Sequence, residues 1–296
     1  MTKDQPSSRV EHVCLGILLA ILAAAPAAAA LGAGGESPAL PSADANPARA
    51  AGPIRRAPIV APPDRRPLIL PGGRRVRKAF RWARHRSGLV SVAVIDTAGR
   101  MRRMKGRRLF VSASVSKAVM LAAYLRRHRG GVSSGARGLL RAMITLSDNN
   151  AAETIYYSLG DAVIERTARK AGAPAIDVRG WWSETYLSAS AGARFMSKIR
   201  RVIPGRHRKY AMRLLAHITP TQQFGIPDGI GRGWHLYFKG GWRGTARGQL
   251  VHQIAVLHSG KRKISLAVLT DGNPSMGYGI ETIEGVARRL VPAAPR

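Results

Sequence analysis

One ten-residue stretch, Val111-Ser112-Ala113-Ser114-Val115-Ser116-Lys117-Ala118-Val119-Met120, constrains this chain more than any other. It reads as the end of an extended segment running into a helix. Ser114 then falls near the helix N-terminus and Lys117 one turn on. Residues three apart share a helix face, so the lysine amine is expected within reach of the serine hydroxyl. This is the S-x-x-K arrangement of an activated serine nucleophile. The helix N-terminus would add backbone N–H groups where an oxyanion could form. An ordinary amphipathic helix with a polar start would show the same four residues, so the rest of the chain has to decide.

Around this stretch the periodicity changes character. Val76, Phe80 and Ala83 recur at helical spacing and predict a helix over 74–86. Residues 89–95 are apolar on both faces, as in a strand covered on both sides. Asp96-Thr97-Ala98-Gly99 supplies a turn, and 107–111 reads as a second strand leading into the serine helix, which should stop at Gly130-Gly131. Helices are expected over 134–146, 149–159, 161–171, 190–202 and 206–218, with 173–187 irregular and a Gly/Pro-rich loop at 219–233. Strands return at 234–241, 249–258 and 263–270, the last two joined by Ser259-Gly260-Lys261-Arg262. Ile280, Ile283, Ala287 and Leu290 mark a closing amphipathic helix. The order predicts an α+β sandwich: an antiparallel five-stranded sheet flanked by the N- and C-terminal helices. An all-helical subdomain, about 112–218, is inserted between the second and third strands.

The N-terminal region reads differently. Residues 14–32 are apolar and end in small residues, as before a signal-peptidase site, so 1–32 is expected to be a secretory signal cut near Ala29 or Ala30. An uncleaved anchor is the alternative, since the run nearly reaches the ~20 residues of a membrane span. Residues 33–73 are rich in Pro, Ala and Gly, as in a flexible tether, which leaves 74–291 as the domain. The expected location is therefore secreted or in the cell envelope. Cys14 is the single cysteine, so a mature protein would carry neither disulfide nor thiol chemistry.

Charge bears on partners. The formal net charge is +32, which suits acidic polymers such as those of a cell wall, and is equally well read as a compositional habit of an Ala/Arg-rich proteome. No basic motif interleaved with aromatics forms a nucleic-acid module, so specific nucleic-acid recognition is not expected. The rest of the expectation is a monomer that needs no metal and no organic cofactor. His235, His252 and His258 lie on or beside expected strands without metal-ligand spacing and read as structural.

Two further motifs accompany the serine. Ser147-Asp148-Asn149 sits where one helix ends and the next begins, a place either for a helix cap or for short polar side chains aimed into a cleft. Lys239-Gly240-Gly241 lies on a strand, where glycine marks a bulge or the close approach of a ligand. Ser114-x-x-Lys117, Ser147-Asp148-Asn149 and Lys239-Gly240-Gly241, in that order, resemble the class A β-lactamases and related penicillin-binding enzymes, over roughly 74–291. The resemblance implies a β-lactamase/transpeptidase-like fold and the following roles. Ser114 is the nucleophile, Lys117 its base, and Ser147 the relay to the leaving nitrogen. Asn149 and Lys239-Gly240-Gly241 bind substrate, with Lys239 attracting its carboxylate. The backbone N–H groups of Ser114 and Trp242 form the oxyanion hole. The substrate would be a β-lactam or a D-alanyl peptidoglycan end.

The departures are specific. Gly240 stands where the family usually has a hydroxyl residue. The family's deacylating glutamate has only Glu184 as a counterpart, without the usual neighbours, and an exposed loop carboxylate would look the same. Trp181 and Trp182 either line the cleft or cap the helical core. The alternative function is a non-hydrolytic or slowly hydrolysing penicillin-binding protein of the same fold.

Overall fold

A computed structural model describes residues 69–294. The expected signal peptide and most of the tether lie outside these residues. No helix among the described residues is long and apolar enough to cross a membrane.

The chain opens with α1 (Gly73–Arg84), whose Val76, Ala79 and Ala83 are buried while its arginines face out. β1 (Leu89–Ile95) follows, buried along nearly its whole length as the two-sided apolar pattern requires. It turns straight back into β2 (Met101–Met104). The turn is built by Asp96, whose Oδ1 accepts from the backbone N–H groups of Ala98 (3.0 Å) and Arg100 (2.9 Å). The strand expected at 107–111 is therefore not the sheet's second strand. Arg102 and Arg103 hide β2 from an apolar pattern, and both point to solvent on what is an edge strand, where charge is the usual protection against mispairing.

Leu109–Val111 forms β3 of a separate small sheet with β4 (Ile176–Asp177) and β5 (Tyr186–Ser188), in the order β3-β5-β4. The span 173–187 thus carries pairing that its sequence does not advertise, because strands this short show no period.

The helical block begins at α2 (Ser116–Arg127), buried all round from Ser116 to Ala123. A helix apolar on every side belongs inside other helices. α4 (Asn149–Leu159), α5 (Asp161–Lys170), α6 (Ala189–Val202) and α7 (Gly205–Ala216) pack against it. The expected helix at 134–146 divides: α3 (Ser134–Arg141) passes into a π turn over Ala142–Leu146 and stops at Ser147, whose φ of 57° and ψ of 31° are left-handed.

After a one-turn α8 (Ile226–Gly229), three long strands complete the main sheet: β6 (His235–Thr245), β7 (Gly248–Ser259) and β8 (Arg262–Asn273). The order is β2-β1-β8-β7-β6, every pair antiparallel. α9 (Met276–Leu290) packs with α1 on one face, and α6 covers the other. Ile254, Ala255, Leu257, Leu266, Ala267, Val268 and Leu269 are fully buried between these layers.

His252 of β7 ties the sheet to the small one. Its Nε2 donates to the Val111 carbonyl (3.0 Å), and its Nδ1 accepts from the Thr270 N–H (3.1 Å). Both ring nitrogens are used by a neutral imidazole, which is a structural role. Burial pushes its pKa from 6.5 down to about 4. Above pH 6.5 both folded and unfolded states hold a neutral ring. As pH falls from 6.5 towards 4 the unfolded state alone takes up the proton, so stability declines by about 3 kcal/mol across that window. Urea titrations at pH 7 and pH 4.5 check this, and His252→Asn should flatten the difference.

Candidate active site

β3 delivers the chain to the serine. Ser112 closes the approach: its N–H donates to the Thr185 carbonyl at 2.7 Å, and its hydroxyl lies within hydrogen-bonding distance of the carbonyls of Ala113, Trp182 and Ser183. Ala113 then takes a left-handed φ of 46°, a strained value for a residue with a Cβ. A single 3₁₀ turn, Ala113–Val115, carries Ser114 and leads directly into α2. Ser114 is part-exposed on the wall of a cavity of about 310 Å³, together with Asn149, Glu153, Trp181, Trp182 and Trp242.

Lys117 is fully buried one turn below. Its Nζ donates to the Ser147 carbonyl (2.7 Å), the Asp148 carbonyl (3.2 Å) and Asn149 Oδ1 (2.8 Å), and reaches Ser147 Oγ at 3.5 Å. Ser114 Oγ is not among its hydrogen-bond partners, so the direct serine–lysine contact expected from the spacing is not made. The ammonium sits 4.4 Å from the centre of the Trp182 ring. Burial lowers the Lys117 pKa to about 7, with the Asp148 charge opposing the shift.

The Ser-Asp-Asn motif does both things its position allowed. Asp148 caps α4, its carboxylate accepting from the Ala151 N–H at 2.7 Å. The left-handed turn at Ser147 and the start of the helix then present Ser147 and Asn149 to Lys117. From the opposite side, Lys239 Nζ donates to Ser147 Oγ (2.9 Å) and to the Gly240 carbonyl (2.9 Å). Lys239 is fully buried, and burial together with the Lys117 charge holds its pKa well below that of a free lysine. Two cations thus share one hydroxyl, with no carboxylate among their partners.

Gly241 explains how β6 comes so close. A Cβ there would lie 2.6 Å from the Ser114 nitrogen and 2.9 Å from that of Val115. Only a bare backbone lets the strand pass the start of the serine turn. Gly241 pairs with His252 in the β6–β7 register, so the same stretch of β7 that anchors Val111 also faces this crossing. Gly240 is different: its nearest neighbours would be 3.6–3.8 Å from a Cβ, so space exists for a side chain. β6 runs on to Thr245, past the expected end at 241, which places Trp242 within the strand, its ring edge-on to Phe224.

Glu184 follows Trp182 and Ser183 in a short 3₁₀ turn and is clamped by Arg243, Nη1 to Oε1 at 2.5 Å and Nη2 to Oε2 at 3.2 Å. The Arg243 hydrogen bonds lower its pKa, which weakens it as a base. The carboxylate on the cavity wall is instead Glu153, which has no hydrogen-bond or ion-pair partner among the described residues. It lies four residues beyond Asn149, one turn along the same face of α4, and that spacing is the one sequence signal that could have found it. Trp182 is 6% exposed and Trp181 is half-buried against Tyr156 and Tyr157, and both also line the cavity. The two earlier readings of this pair are therefore both partly right. No cluster of metal-ligating residues occurs among the described residues.

Comparison with known proteins bears on the family and the fold. The family described as "Beta-lactamase enzyme family" matches residues 128–293. The chain belongs to that family, a branch of the β-lactamase-like serine hydrolases. Among solved structures, the beta-lactamase from Sphaerobacter thermophilus superposes with a TM-score of 0.62 at 17% identity, covering 72% of this chain and 94% of that one. An ancestral class A beta-lactamase gives 0.62 at 22% identity, with 73% and 98% covered. A beta lactamase from Xanthomonas campestris gives 0.63 at 16%, with 73% and 96% covered. At such identities the likeness is one of fold. No curated protein sequence matches the chain.

Proposed function

We propose that the protein is an exported serine hydrolase that opens a β-lactam or a D-alanyl amide through an acyl-enzyme on Ser114. The observation that carries this reading is the pair of buried lysines converging on Ser147 beside the Ser114 turn. A structural core has no use for two desolvated cations, whereas acyl transfer uses each. Lys117, titrating near neutrality, takes the Ser114 proton as Oγ attacks the carbonyl. The N–H groups of Ser114 and Trp242 hold the oxyanion, an interaction typically worth about 3 kcal/mol per donor. Collapse breaks the carbon–nitrogen bond, and Ser147 passes a proton to the departing nitrogen. Lys239 holds the carboxylate that a β-lactam and a D-alanyl end both present, and Asn149 orients the acyl side chain while fixing Lys117. Export is supported by the apolar run at 14–32.

The Glu184–Arg243 pair sets the kinetic expectation. With that carboxylate engaged, acylation outruns hydrolysis and the adduct accumulates. Incubation with a fluorescent penicillin, followed by intact mass, tests the reading: a covalent adduct in the wild type, none in Ser114→Ala. Absence of any adduct with both β-lactams and D-alanyl peptides would overturn it.

A further inference from the structure

A cavity lies away from the serine, between α7, α6 and β6. It measures about 540 Å³, and its wall includes Arg200, Arg208, Lys209, Arg213, His217 and His235. A second cavity adjoins it, sharing Arg200 and Arg208 and adding Arg201, Lys263 and His258. Neither wall contains an acidic residue. Among the described residues none of these basic side chains forms a salt bridge, although acids elsewhere are paired, as in Arg86–Glu281 and Arg243–Glu184.

The spacing along α7 is informative. Lys209, Arg213 and His217 recur every fourth residue and so climb one face of the helix about a turn apart, about 6 Å per step. Like charges at this spacing repel and weaken a helix. Here the repulsion between Lys209 and Arg213 is increased by Arg200 from α6. Tyr237 and Met212 supply an apolar floor. The Nε of Arg208 and the Nε2 of His258 are buried without any partner. An unpartnered polar atom on Arg208, which both cavities share, another on His258 of the second, and a run of basic side chains without acidic partners are the complement of a multiply charged anion.

We propose that this cavity binds a ligand carrying two or more adjacent phosphate groups. A single carboxylate could neutralise one rung of the α7 ladder, and neighbouring phosphates can engage several. Arginine forks match phosphate oxygens two at a time, and the remaining volume can take whatever group the phosphates are attached to. The assignment is independent of the serine chemistry.

The test uses inorganic diphosphate and orthophosphate as probes, by calorimetry at low salt, with imidazole resonances of His258 followed in parallel. His258 is held at about 4 by burial and by Arg200, Lys263 and His235, with Tyr237 edge-on at 5.7 Å. An anion between these cations should raise that value. Diphosphate is expected to bind at least tenfold more tightly than orthophosphate. The double variant Arg208→Ala/Arg213→Ala should weaken it tenfold or more. Arg77→Ala/Lys78→Ala on the solvent face of α1, which removes the same charge elsewhere, should change it less than twofold. Equal weakening by the two double variants would show a diffuse charge effect and overturn the site, as would no preference for diphosphate or an unmoved His258. Far-UV circular dichroism and the urea midpoint of Arg208→Ala/Arg213→Ala report whether that variant is still folded. If it is not, Lys209→Gln/Arg213→Gln takes its place under the same criteria.

Discussion

Lys117→Ala should lower the rate of Ser114 acylation by about a thousandfold, within the range a general base contributes. In the wild type the acylation rate should rise tenfold per pH unit below pH 7 and level off above it. The sign follows from the chemistry. Only the neutral amine can accept the serine proton, and Lys117 passes to that form through a pKa of about 7. The value is low because burial strips water from the ammonium, and the Asp148 charge opposes the shift only in part. Stopped-flow labelling with a chromogenic or fluorescent β-lactam across pH 5.5–9 measures it. A flat profile, or a variant that still acylates within tenfold of wild type, would remove Lys117 from the role of base.

The second large effect belongs to a residue with no side chain. Gly241→Ala should destabilise the fold by about 1–3 kcal/mol and lower acylation about a hundredfold. The new methyl would stand 2.6 Å from the Ser114 nitrogen and must push β6 away from the serine turn. Both oxyanion donors, on either side of that crossing, lose their alignment. Gly240→Ala is the control, since its Cβ meets nothing closer than 3.6 Å, and it should leave stability and labelling within about twofold. Denaturant midpoints and labelling rates for the two variants make the comparison. If Gly240→Ala is the more harmful, the close crossing is not what glycine serves at 241.

Much of this site is legible in the chain because its motifs sit at the ends of strongly patterned elements. Ser114 and Lys117 stand at the start of a helix buried on all sides, and Lys239 lies in a strand paired with β7, whose residues 250–257 are all buried. Such segments leave little choice of element. Where the local pattern is thin, the reading fails. Met101–Met104 is a four-residue edge strand with two outward arginines, held by the Asp96 turn rather than by burial, and the sequence pattern points to 107–111 in its place. The left-handed turns at Ala113 and Ser147 are equally hidden, because neither residue is a glycine or asparagine that would advertise the conformation. Tertiary contacts impose them. The pairing of Glu184 with Arg243 joins residues 59 positions apart, and no local pattern reports that distance.

The hydroxyl of Ser147, held between Lys117 and Lys239, has a consequence for how substrate charge is counted. Neither lysine hydrogen-bonds to an acidic side chain and the Asp148 charge offsets the burial of Lys117 only in part, so at neutral pH the free enzyme holds less than a full proton on Lys117. A ligand that brings its own carboxylate supplies the missing counter-charge and raises both lysines' affinity for protons. Association therefore draws protons from the buffer. The apparent heat of binding should shift with the buffer's ionisation enthalpy, and the ligand itself becomes part of the acid–base inventory of the site.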